Sequence, residues 1–449
     1  MVSAPDEMKP VPFGKPMREA HFSYAKAYTP LNHGSYGASP ICVRQYQQDL
    51  QDEAEARPDV FLRRKLPQLL NEARTSIAPL LGVPLDEVVF VPNATTAVNT
   101  VLRNLVYGKG DVILYFNTIY DTCEKTIQYV CESTVAESLC VELALPMEDA
   151  EIISEFEKAV LGVQKNGRRA KIALFDTVLT FPGVKMPWEK LVDCCTEHKI
   201  LSLVDGAHGI GHIDLTALGT VGPDFFTSNC YKWLYTPRGS AIFHVAKRNQ
   251  HMIRSTLPTS HGFIALPNGS KECPMKAVES TRFVDMFPFT GTQELSPVAC
   301  VPKALEFRKK VCGGEDKIME YCPKLAQSGG QRMADILGTR TMKSHNDTTL
   351  QECCFAMVQL PLRFEIAGST DSPSKKAFQV NDWPAISKFI MERAEKEHDT
   401  FLPVKYHAGS MWARISAQIY LDVNDFVFAG NVLKQLCDKV QLGEHEHSS

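Results

Sequence analysis

The sequence lacks any apolar run long enough to span a bilayer, and residues 1–16 carry charges and prolines where a signal peptide has an apolar core. It also lacks a long basic stretch, and its 48 basic and 52 acidic residues give a formal net charge of −4. We therefore expect neither a membrane nor nucleic acid among its partners. These absences predict a soluble, cytoplasmic protein that binds a small ligand.

Cysteine spacing argues against two further classes of protein. The 14 cysteines show no C-x-x-C spacing and no array of metal ligands, and they include the adjacent pairs Cys194-Cys195 and Cys353-Cys354. We expect reduced thiols, no disulfide framework and no bound metal. The glycine-rich P-loop signature is absent as well, so any phosphate must be bound in another way.

What the sequence does contain is enough apolar residues for a large folded chain. With 449 residues, of which 44% are hydrophobic and 22% charged, it can form two or three domains. Five short, nearly continuous apolar runs predict the strands of a mainly parallel sheet covered by helices on both faces, an α/β fold. These runs are residues 87–91, 111–116, 171–175, 200–204 and 241–245.

The composition divides the chain into three predicted parts. Residues 1–30 are rich in proline and polar residues and predict an N-terminal arm that wraps the surface, and residues 31–300 predict the large domain. Residues 301–449 predict a smaller α+β domain, with helices up to residue 312 and at 317–337 and strands at 354–362 and 412–419. A polar stretch at 367–382 is typical of a solvated loop.

Lys232 and Asp205 form the most informative pair of residues. Asp205 ends an apolar run, and parallel sheets place their sites at such strand ends. A lysine can hold an aldehyde cofactor as a Schiff base, and a carboxylate can keep a pyridine nitrogen protonated, so the pair suggests pyridoxal phosphate. Taken singly, the lysine could be a surface residue and the aspartate a helix cap.

A strand, a turn and an amphipathic helix are predicted around Thr95 and Thr96. The free amides of the helix N-terminus and the two hydroxyls would bind phosphate, although Asn93 and Thr95 could simply cap the helix. His208 could contact the phenolic oxygen or the ring of the cofactor, or it could be an ordinary buried polar residue.

Tyr120 and Arg414 are candidates for contact with the substrate. Tyr120 follows the predicted strand 111–116 and could lie over the ring or donate a proton to a leaving group, or it could simply pack. Arg414 stands within an apolar strand and needs an anion, which is either an internal carboxylate or a substrate carboxylate held by two hydrogen bonds.

An ordered set of motifs identifies a family. Over nearly its whole length, the sequence resembles the class V aminotransferase group of fold-type I pyridoxal phosphate enzymes. The resemblance implies a large domain built on a seven-stranded sheet, a smaller C-terminal domain and a pyridoxal 5′-phosphate cofactor. The motifs are Leu31-Asn32-His33-Gly34-Ser35, Asn93-Ala94-Thr95-Thr96, Asp205-Gly206-Ala207-His208, Ser228-Asn229-Cys230-Tyr231-Lys232-Trp233, Phe289-Thr290-Gly291-Thr292 and Trp412-Ala413-Arg414-Ile415-Ser416.

This resemblance implies a role for each site residue. Lys232 would carry the cofactor, Asp205 would face the pyridine nitrogen, and Arg414 would hold the substrate carboxylate. Tyr231 stands where the nearest relatives usually have histidine, so its contact with phosphate would be longer and uncharged. Gly291 and Thr292 would reach the phosphate of a second subunit, which implies a homodimer. The remaining phosphate contacts would be Ala94, Thr95, Thr96 and Ser228.

Within the family, the sequence is similar to a fungal branch that includes hercynylcysteine sulfoxide lyase, isopenicillin N epimerase-like proteins and the cyclase of loline alkaloid assembly. The turn with Asn32 and His33, which could contact the substrate, and Tyr120 favour the lyase. The loop at Ser260-His261 could also contact the substrate, or it could simply pack. We therefore expect β-elimination from a cysteine S-conjugate sulfoxide, with Lys232 removing the α-proton and Tyr120 donating a proton. A cyclase or γ-substituting enzyme, an epimerase and an aminotransferase remain alternatives.

Overall fold

The computed structural model of the chain describes residues 8–257, 281–346, 349–365 and 377–447. Its strands are β1 (Val88–Val91), β2 (Asp111–Phe116), β3 (Glu137–Val141), β4 (Arg169–Asp176), β5 (Leu201–Asp205), β6 (Phe225–Asn229), β7 (Ala241–Val245), β8 (Phe355–Gln359), β9 (Arg363–Phe364), β10 (Ala377–Phe378), β11 (Val404–His407) and β12 (Ser410–Ser416).

The described helices are of very different lengths, and a π-helical turn, Phe61–Lys65, joins the fourth to the fifth. They are α1 (Lys15–His21), α2 (His33–Tyr36), α3 (Ile41–Ala56), α4 (Pro58–Val60), α5 (Leu66–Leu81), α6 (Ala94–Asn104), α7 (Asp121–Ser133), α8 (Asp149–Lys165), α9 (Trp188–Glu197), α10 (Leu218–Val221), α11 (Cys230–Trp233), α12 (Thr281–Asp285), α13 (Ser296–Ala299), α14 (Val301–Lys310), α15 (Glu315–Leu337), α16 (Trp383–His398) and α17 (Val423–Gln441).

A seven-stranded sheet with the order β1-β7-β6-β5-β4-β2-β3 organises the large part of the chain. Only β7 runs antiparallel to its neighbours, so the other six strands end at the same edge. The five strands predicted from the sequence are present with small shifts at their ends, whereas β3 and β6 were not predicted. The α/β fold with a mainly parallel seven-stranded sheet is confirmed.

Side chains alternate between the two faces of this sheet, as the pleat requires. On one face, Leu174 and Leu203 pack in a core with residues of α6 and α7. On the other face, Phe175 and Val204 belong to a larger core that includes α8 and α9 and extends into the C-terminal part of the chain. The shared edge of the parallel strands therefore lies between two well-packed layers, with α6 and α7 both beginning there.

The C-terminal part contains an antiparallel sheet with the order β11-β12-β8, and α15 packs on β8 while α16 packs on β11. The helix predicted at 317–337 and the strands predicted at 354–362 and 412–419 correspond to α15, β8 and β12. The solvated loop predicted at 367–382 is wrong at Phe378, which is buried in β10 with its ring 6.0 Å from that of Phe364, whereas residues 379–381 are exposed as predicted. Residues 366–376 lie outside the described residues.

The N-terminal segment is more than a surface arm. Met17 in α1 and Leu31 are fully buried. The Gly14 amide donates to the carbonyl of Ile419 over 2.7 Å, and Arg18 is paired with Asp425. These contacts fix residues 14–31 against the C-terminal part of the chain, although most residues between 8 and 30 are exposed or half-buried.

The boundaries predicted at residues 30 and 300 stay predictions. Arg308, in α14, donates hydrogen bonds to the carbonyls of Trp233 and Gly211, so α14 packs directly against the segment that holds Lys232. Among the helices of the described ranges, none combines the length and apolarity needed to cross a membrane.

Candidate active site

Lys232 lies in α11, which begins directly after β6 at the edge where the parallel strands end. Burial lowers its pKa to about 8, an effect that the charge of Asp205 opposes and that of Arg414 reinforces. The neutral amine is the form that attacks an aldehyde, so this environment prepares Lys232 for a Schiff base near physiological pH.

His208 lies next to the lysine, and its tautomer follows from its contacts. The indole N–H of Trp233 donates to Nδ1 over 3.1 Å, so Nδ1 carries no proton. Burial and neighbouring cations lower the pKa of His208 well below its usual range, so the ring is neutral and its proton is on Nε2. Nε2 lies 3.2 Å from Nζ of Lys232. His208 can therefore donate to the neutral amine or to an anionic oxygen of a cofactor in its place.

Asp205 is buried at the end of β5 and is held as a hydrogen-bond acceptor. Its Oδ1 accepts from the amide of Ala207 over 2.9 Å, and its Oδ2 accepts from the thiol of Cys123 over 3.4 Å. Burial raises the pKa of Asp205, whereas these two donors and Lys232 lower it. Asp205 has the position and the acceptor atoms required to face a pyridinium nitrogen.

Sequence reasoning missed Asp176, a second buried carboxyl group at this edge. It ends β4 and pairs in register with Asp205. Burial and the charge of Asp205 raise its pKa well above the usual range, while Lys232 has the opposite effect. A signal was present, because Asp176 follows a buried apolar run just as Asp205 does.

The N-terminus of α6 forms the predicted phosphate cradle in part. Asn93 caps the helix, since its Oδ1 accepts from the amide of Thr96 over 2.9 Å, as the alternative interpretation expected. The amide of Ala94 donates to Oδ1 of Asn229. The amide and hydroxyl of Thr95 have no hydrogen-bond partner among the described residues. Thr95 is thus the residue whose donors are available to an anion here.

The structure separates Ser228 from this cradle. The Ser228 hydroxyl donates to the carbonyl of Gly206 and accepts from the amide of Ile210, on the face of β6 opposite to α6. Ser228 therefore lies on the wrong face for its predicted phosphate contact. Asn229 alternates to the other face, where its Oδ1 accepts from the amide of Ala94 in α6. Sequence reasoning could not separate these neighbours without knowing which face of β6 meets α6.

Tyr231 and Tyr120 lie on the outer side of the site. Burial and the nearby phenol of Tyr120 raise the pKa of Tyr231 to about 12, so Tyr231 keeps its proton and can act as a donor. Tyr120, which precedes α7, is 44% exposed, so its hydroxyl is accessible to a ligand.

Arg414 is a buried cation without an anionic partner among the described residues. Its Nη1 donates to the carbonyl of Thr180 over 2.6 Å, and its Nη2 donates to Oδ1 of Asn32 and to the hydroxyl of Ser35, each over 2.8 Å. Its Nε is buried with no acceptor in the part of the chain that the structure describes, and the guanidinium lies 4.7 Å from the centre of the Phe355 ring. Burial lowers its pKa to about 10. The described ranges contain no internal carboxylate paired with Arg414, the alternative that the sequence left open.

Asn32 and His33 lie in the turn at α2 and form hydrogen bonds with residues of the site. Asn32 orients Arg414 directly. The ring of His33 is buried, with Nε2 donating to the carbonyl of Lys232 and Nδ1 accepting from the hydroxyl of Tyr420. Burial lowers the pKa of His33 to about 3, so the ring is neutral and this arrangement of protons is fixed. Both ring nitrogens of His33 therefore have hydrogen-bond partners within the chain. The substrate contact predicted for His33 is wrong, and the ring instead supports α11 through the carbonyl of Lys232.

Gly291 and Thr292 are exposed in the single chain, and their neighbours Thr290 and Gln293 line one cavity with Thr95 and Thr96. A side chain built at Gly291 would meet no atom within 4 Å. The predicted Ser260-His261 contact lies outside the described residues. Within the described ranges, one group of potential metal ligands occurs, on α8 and α9, and it includes no predicted site residue: Glu157, Cys194 and His198.

The residues present fit pyridoxal phosphate. Lys232 would hold its aldehyde carbon, Asp205 its pyridine nitrogen, His208 its phenolic oxygen, and Thr95 its phosphate at the start of α6. The donors and acceptors match the chemistry of each part of the cofactor. Fold and site together define a fold-type I pyridoxal phosphate enzyme.

Comparison with known proteins agrees with this class. The family model "Aminotransferase class-V" matches residues 45–361, more than half of the chain. The chain belongs to the class V aminotransferase family. It is an enzyme that depends on pyridoxal 5′-phosphate, and it groups with lyases of that family.

Two fungal relatives match over nearly their whole length. The chain is 36% identical to the L-cysteine desulfhydrase-like protein lolT1 of Epichloe uncinata, over 96% of this chain and 97% of the relative. It is 29% identical to hercynylcysteine sulfoxide lyase of Schizosaccharomyces pombe, over 95% and 98%. Among solved structures, a complex between the cystine C-S lyase C-DES and cysteine persulfide is similar in fold, with a TM-score of 0.68, 17% identity and coverage of 92% and 98%.

Proposed function

We propose that this enzyme is a C–S lyase that cleaves a cysteine S-conjugate sulfoxide of the hercynylcysteine sulfoxide type by β-elimination. The products are a sulfenic acid, pyruvate and ammonia. The name of the Schizosaccharomyces pombe relative supports this substrate class. The names of several relatives as cysteine desulfhydrases, or desulfhydrase-like proteins, support cleavage of a carbon–sulfur bond.

The observation that carries the proposal is the environment of Arg414. A buried guanidinium whose contacts are a carbonyl, an amide oxygen, a hydroxyl and an aromatic ring retains a full positive charge in need of an anion. Its Nε has no acceptor within the described ranges. A substrate α-carboxylate supplies two oxygens in the geometry that a guanidinium binds best. An amino acid held there has its α-amino group free to meet the cofactor beside Lys232.

In this mechanism Asp205, His208 and Lys232 each hold or move a proton. Pyridoxal phosphate, when bound, withdraws electrons from the α-carbon of an attached amino acid and so acidifies its α-proton. Asp205 keeps the pyridine nitrogen protonated, and His208 donates to the phenolic oxygen. Lys232, once its Nζ is released, is a base with a pKa depressed by burial and takes the α-proton.

The leaving group departs from the β-carbon. The Cβ–S bond breaks and its electron pair stays with sulfur. The sulfoxide oxygen takes a proton, and the group leaves as the sulfenic acid R–SOH. Tyr120 is the candidate donor because its hydroxyl is exposed at the start of α7, near Tyr231. Water then hydrolyses the remaining three-carbon fragment to pyruvate and ammonia. A sulfoxide leaves more readily than a thioether, so little further assistance at sulfur is required.

A second candidate function follows from the Epichloe relative, which is more similar to this chain than the Schizosaccharomyces relative is. The name of that relative indicates desulfhydration of L-cysteine itself. The resemblance to the fungal branch also suggested the cyclase alternative. The same Arg414 and Lys232 would serve a cyclase, an epimerase or an aminotransferase. Which of these reactions occurs depends on where a second acid or base stands relative to Lys232. An assay of the products must therefore distinguish them.

The decisive experiment offers the cofactor-loaded enzyme three substrates: hercynylcysteine sulfoxide, the corresponding thioether and L-cysteine. We expect pyruvate and ammonia in equal amounts from the sulfoxide, and much slower release from the other two. Faster release of sulfide from L-cysteine would favour the desulfhydrase. Consumption of substrate without pyruvate would favour the cyclase or epimerase, and Lys232→Ala should abolish every one of these reactions.

We also propose that the enzyme works as a homodimer in the cytoplasm. The exposed Gly291 and Thr292 support a site completed by a second subunit, as the family resemblance implies. All 13 cysteines of the described ranges are free thiols, which supports a reducing compartment.

A further inference from the structure

Two buried carboxyl groups lie side by side near Lys232. Asp176 ends β4, Asp205 ends β5, and the two residues are partners in the parallel register. Leu174 and Leu203, two positions earlier in each strand, pack in the same core beneath α6 and α7. Because side chains alternate along a strand, both carboxyl groups also face that layer, at the spacing of neighbouring strands.

The two carboxyl groups differ in their hydrogen bonds. Asp205 accepts from the Cys123 thiol and the Ala207 amide, which favours its ionised form. The side chain of Asp176 accepts no hydrogen bond from the described residues, although it is only 3% exposed. Two adjacent carboxylates shielded from water repel each other strongly, so one of them keeps a proton. The group without donors is the one that keeps it.

We propose that Asp176 holds the single proton of a carboxyl pair with Asp205, so that one negative charge instead of two faces Lys232 and the cofactor ring. Asp176 acts through Asp205 and is therefore a positioning residue. Its neutral form leaves the charge of Asp205 for the pyridine nitrogen. This inference depends on the cofactor site alone and holds for whichever substrate is cleaved.

The other titratable groups around the pair leave this role to Asp176. Cys123 approaches from α7, and burial raises the pKa of its thiol far above neutrality. His208, after β5, is neutral. Lys232 from α11 and Arg414 from β12 are the nearby cations, and Lys232 stabilises negative charge on both aspartates.

The test is Asp176→Asn in the cofactor-loaded enzyme, because asparagine has the shape of a protonated aspartate and cannot lose a proton. At neutral pH we expect the variant to keep its bound cofactor, whereas Asp205→Asn loses affinity for it. As pH rises from the ordinary aspartate range, the stabilities of the two proteins diverge. The raised pKa of Asp176 means that wild-type stability falls as pH rises from the ordinary aspartate range, and the variant lacks that decline.

The thermal midpoint of the variant should therefore exceed that of the wild type by a margin that grows with pH. Asp149→Asn is the matched control, since it changes another buried aspartate that pairs with Lys190, away from the site, and should show no such growth. Parallel midpoint profiles for wild type and Asp176→Asn would overturn the proposal, as would loss of cofactor from Asp176→Asn at neutral pH. If the variant does not fold, infrared spectroscopy of the wild type decides. A protonated-carboxyl band that disappears only in alkali supports the pair, and its absence at neutral pH refutes it.

Discussion

Burial, more than any single ion pair, sets the charge of the side chains around Lys232. It lowers the pKa of Lys232 to about 8, of Arg414 to about 10 and of His33 to about 3. The histidine is thus a fixed hydrogen-bonding group, and the arginine remains a cation at any physiological pH. Lys232 alone changes its charge in the working range, so the pH dependence of cofactor loading reports on this residue.

The rate of cofactor loading should rise with pH through a midpoint of about 8. Below that pKa Lys232 is an ammonium group and cannot attack the aldehyde, and above it the amine is neutral. The negative charge of Asp205 raises the pKa of Lys232, so Asp205→Asn should move the midpoint to lower pH. The rate is measured by mixing cofactor-free protein with pyridoxal phosphate and following absorbance. Reaction of the cofactor with N-acetyl-lysine corrects for its own ionisation, and equal midpoints in both proteins would contradict the assigned charge of Asp205.

Replacing Arg414 with glutamine should raise KM for any amino acid substrate by about tenfold or more, because a charge-assisted contact contributes about 1.5–3 kcal/mol. The turnover number should change less, since the contact is made before and during the reaction. Steady-state kinetics measure both quantities. Arg363→Gln, which removes an exposed arginine of β9, is the control. An unchanged KM in Arg414→Gln would return Arg414 to a purely structural role.

The sequence identified the charged residues of the site more reliably than it identified the residues that lie beside them in the fold. Asp205 and Arg414 were found because a charged residue in or after an apolar strand needs a reason to be there, and Lys232 was found because its pairing with Asp205 suggests pyridoxal phosphate. Asp176 also follows an apolar run, but it was missed because its importance comes from the pairing of β4 with β5, which the sequence alone does not give. Ser228 was chosen over Asn229 for a similar reason, since the two differ only in the face of β6 that they occupy.

At the scale of elements, the turn around α2 connects the two functional ends of the site. Asn32 and Ser35 hold the guanidinium of Arg414, while His33 donates to the carbonyl of Lys232. The turn thereby fixes the separation between the carboxylate site and the lysine. Gly37, which ends α2, makes this packing possible because its backbone lies against α11.

Gly37→Ala should therefore damage the site far more than ordinary backbone strain would. Its φ is 64°, and an added Cβ would lie 1.8 Å from the carbonyl oxygen of Tyr231 and 2.9 Å from Cα of Lys232. Its ψ of 175° adds a conformation nearly restricted to glycine. Gly338→Ala is the control, because Gly338 also has a φ of 64° but meets nothing within 4 Å and should cost only about 1–2 kcal/mol.

Thermal midpoints and the absorbance of the lysine-bound cofactor should separate the two variants. We expect Gly338→Ala to keep the absorbance with a modestly lower midpoint, and Gly37→Ala to lose both. Similar behaviour of the two variants would mean that α2 and α11 can move apart without consequence for the site.

Strands were predictable from the sequence where both faces of the sheet are buried. β2, β4, β5 and β7 are nearly continuous apolar runs and were found. β3 lies at the sheet edge with its first residues exposed, so it lacks such a run. β6 is buried but ends in Thr227, Ser228 and Asn229, because a strand that ends at a cofactor site carries polar residues there.

At the scale of the whole molecule, the single chain leaves the phosphate end of the site less enclosed than the lysine end. Thr95 offers an amide and a hydroxyl at the start of α6, whereas Gly291 and Thr292 project from an exposed segment. A second copy of the chain that brings this segment to the phosphate would complete the cradle. In a two-fold symmetric dimer, each site would then combine Lys232 of one subunit with Thr292 of the other.

Subunit mixing tests this arrangement without a structure of the dimer. Lys232→Ala lacks the lysine, and Thr292→Glu places a carboxylate against the phosphate, so each variant alone should be nearly inactive. In a mixed dimer both defects fall in one site and the other site is intact. Equal mixing with random exchange makes half of the dimers mixed, so about a quarter of wild-type activity should return. Mixing Lys232→Ala with Asp205→Asn is the control, because these two residues belong to the same subunit's site and each mixed dimer keeps no intact site. Failure of the test pair to recover, as in the control, would assign Thr292 to the site of its own subunit.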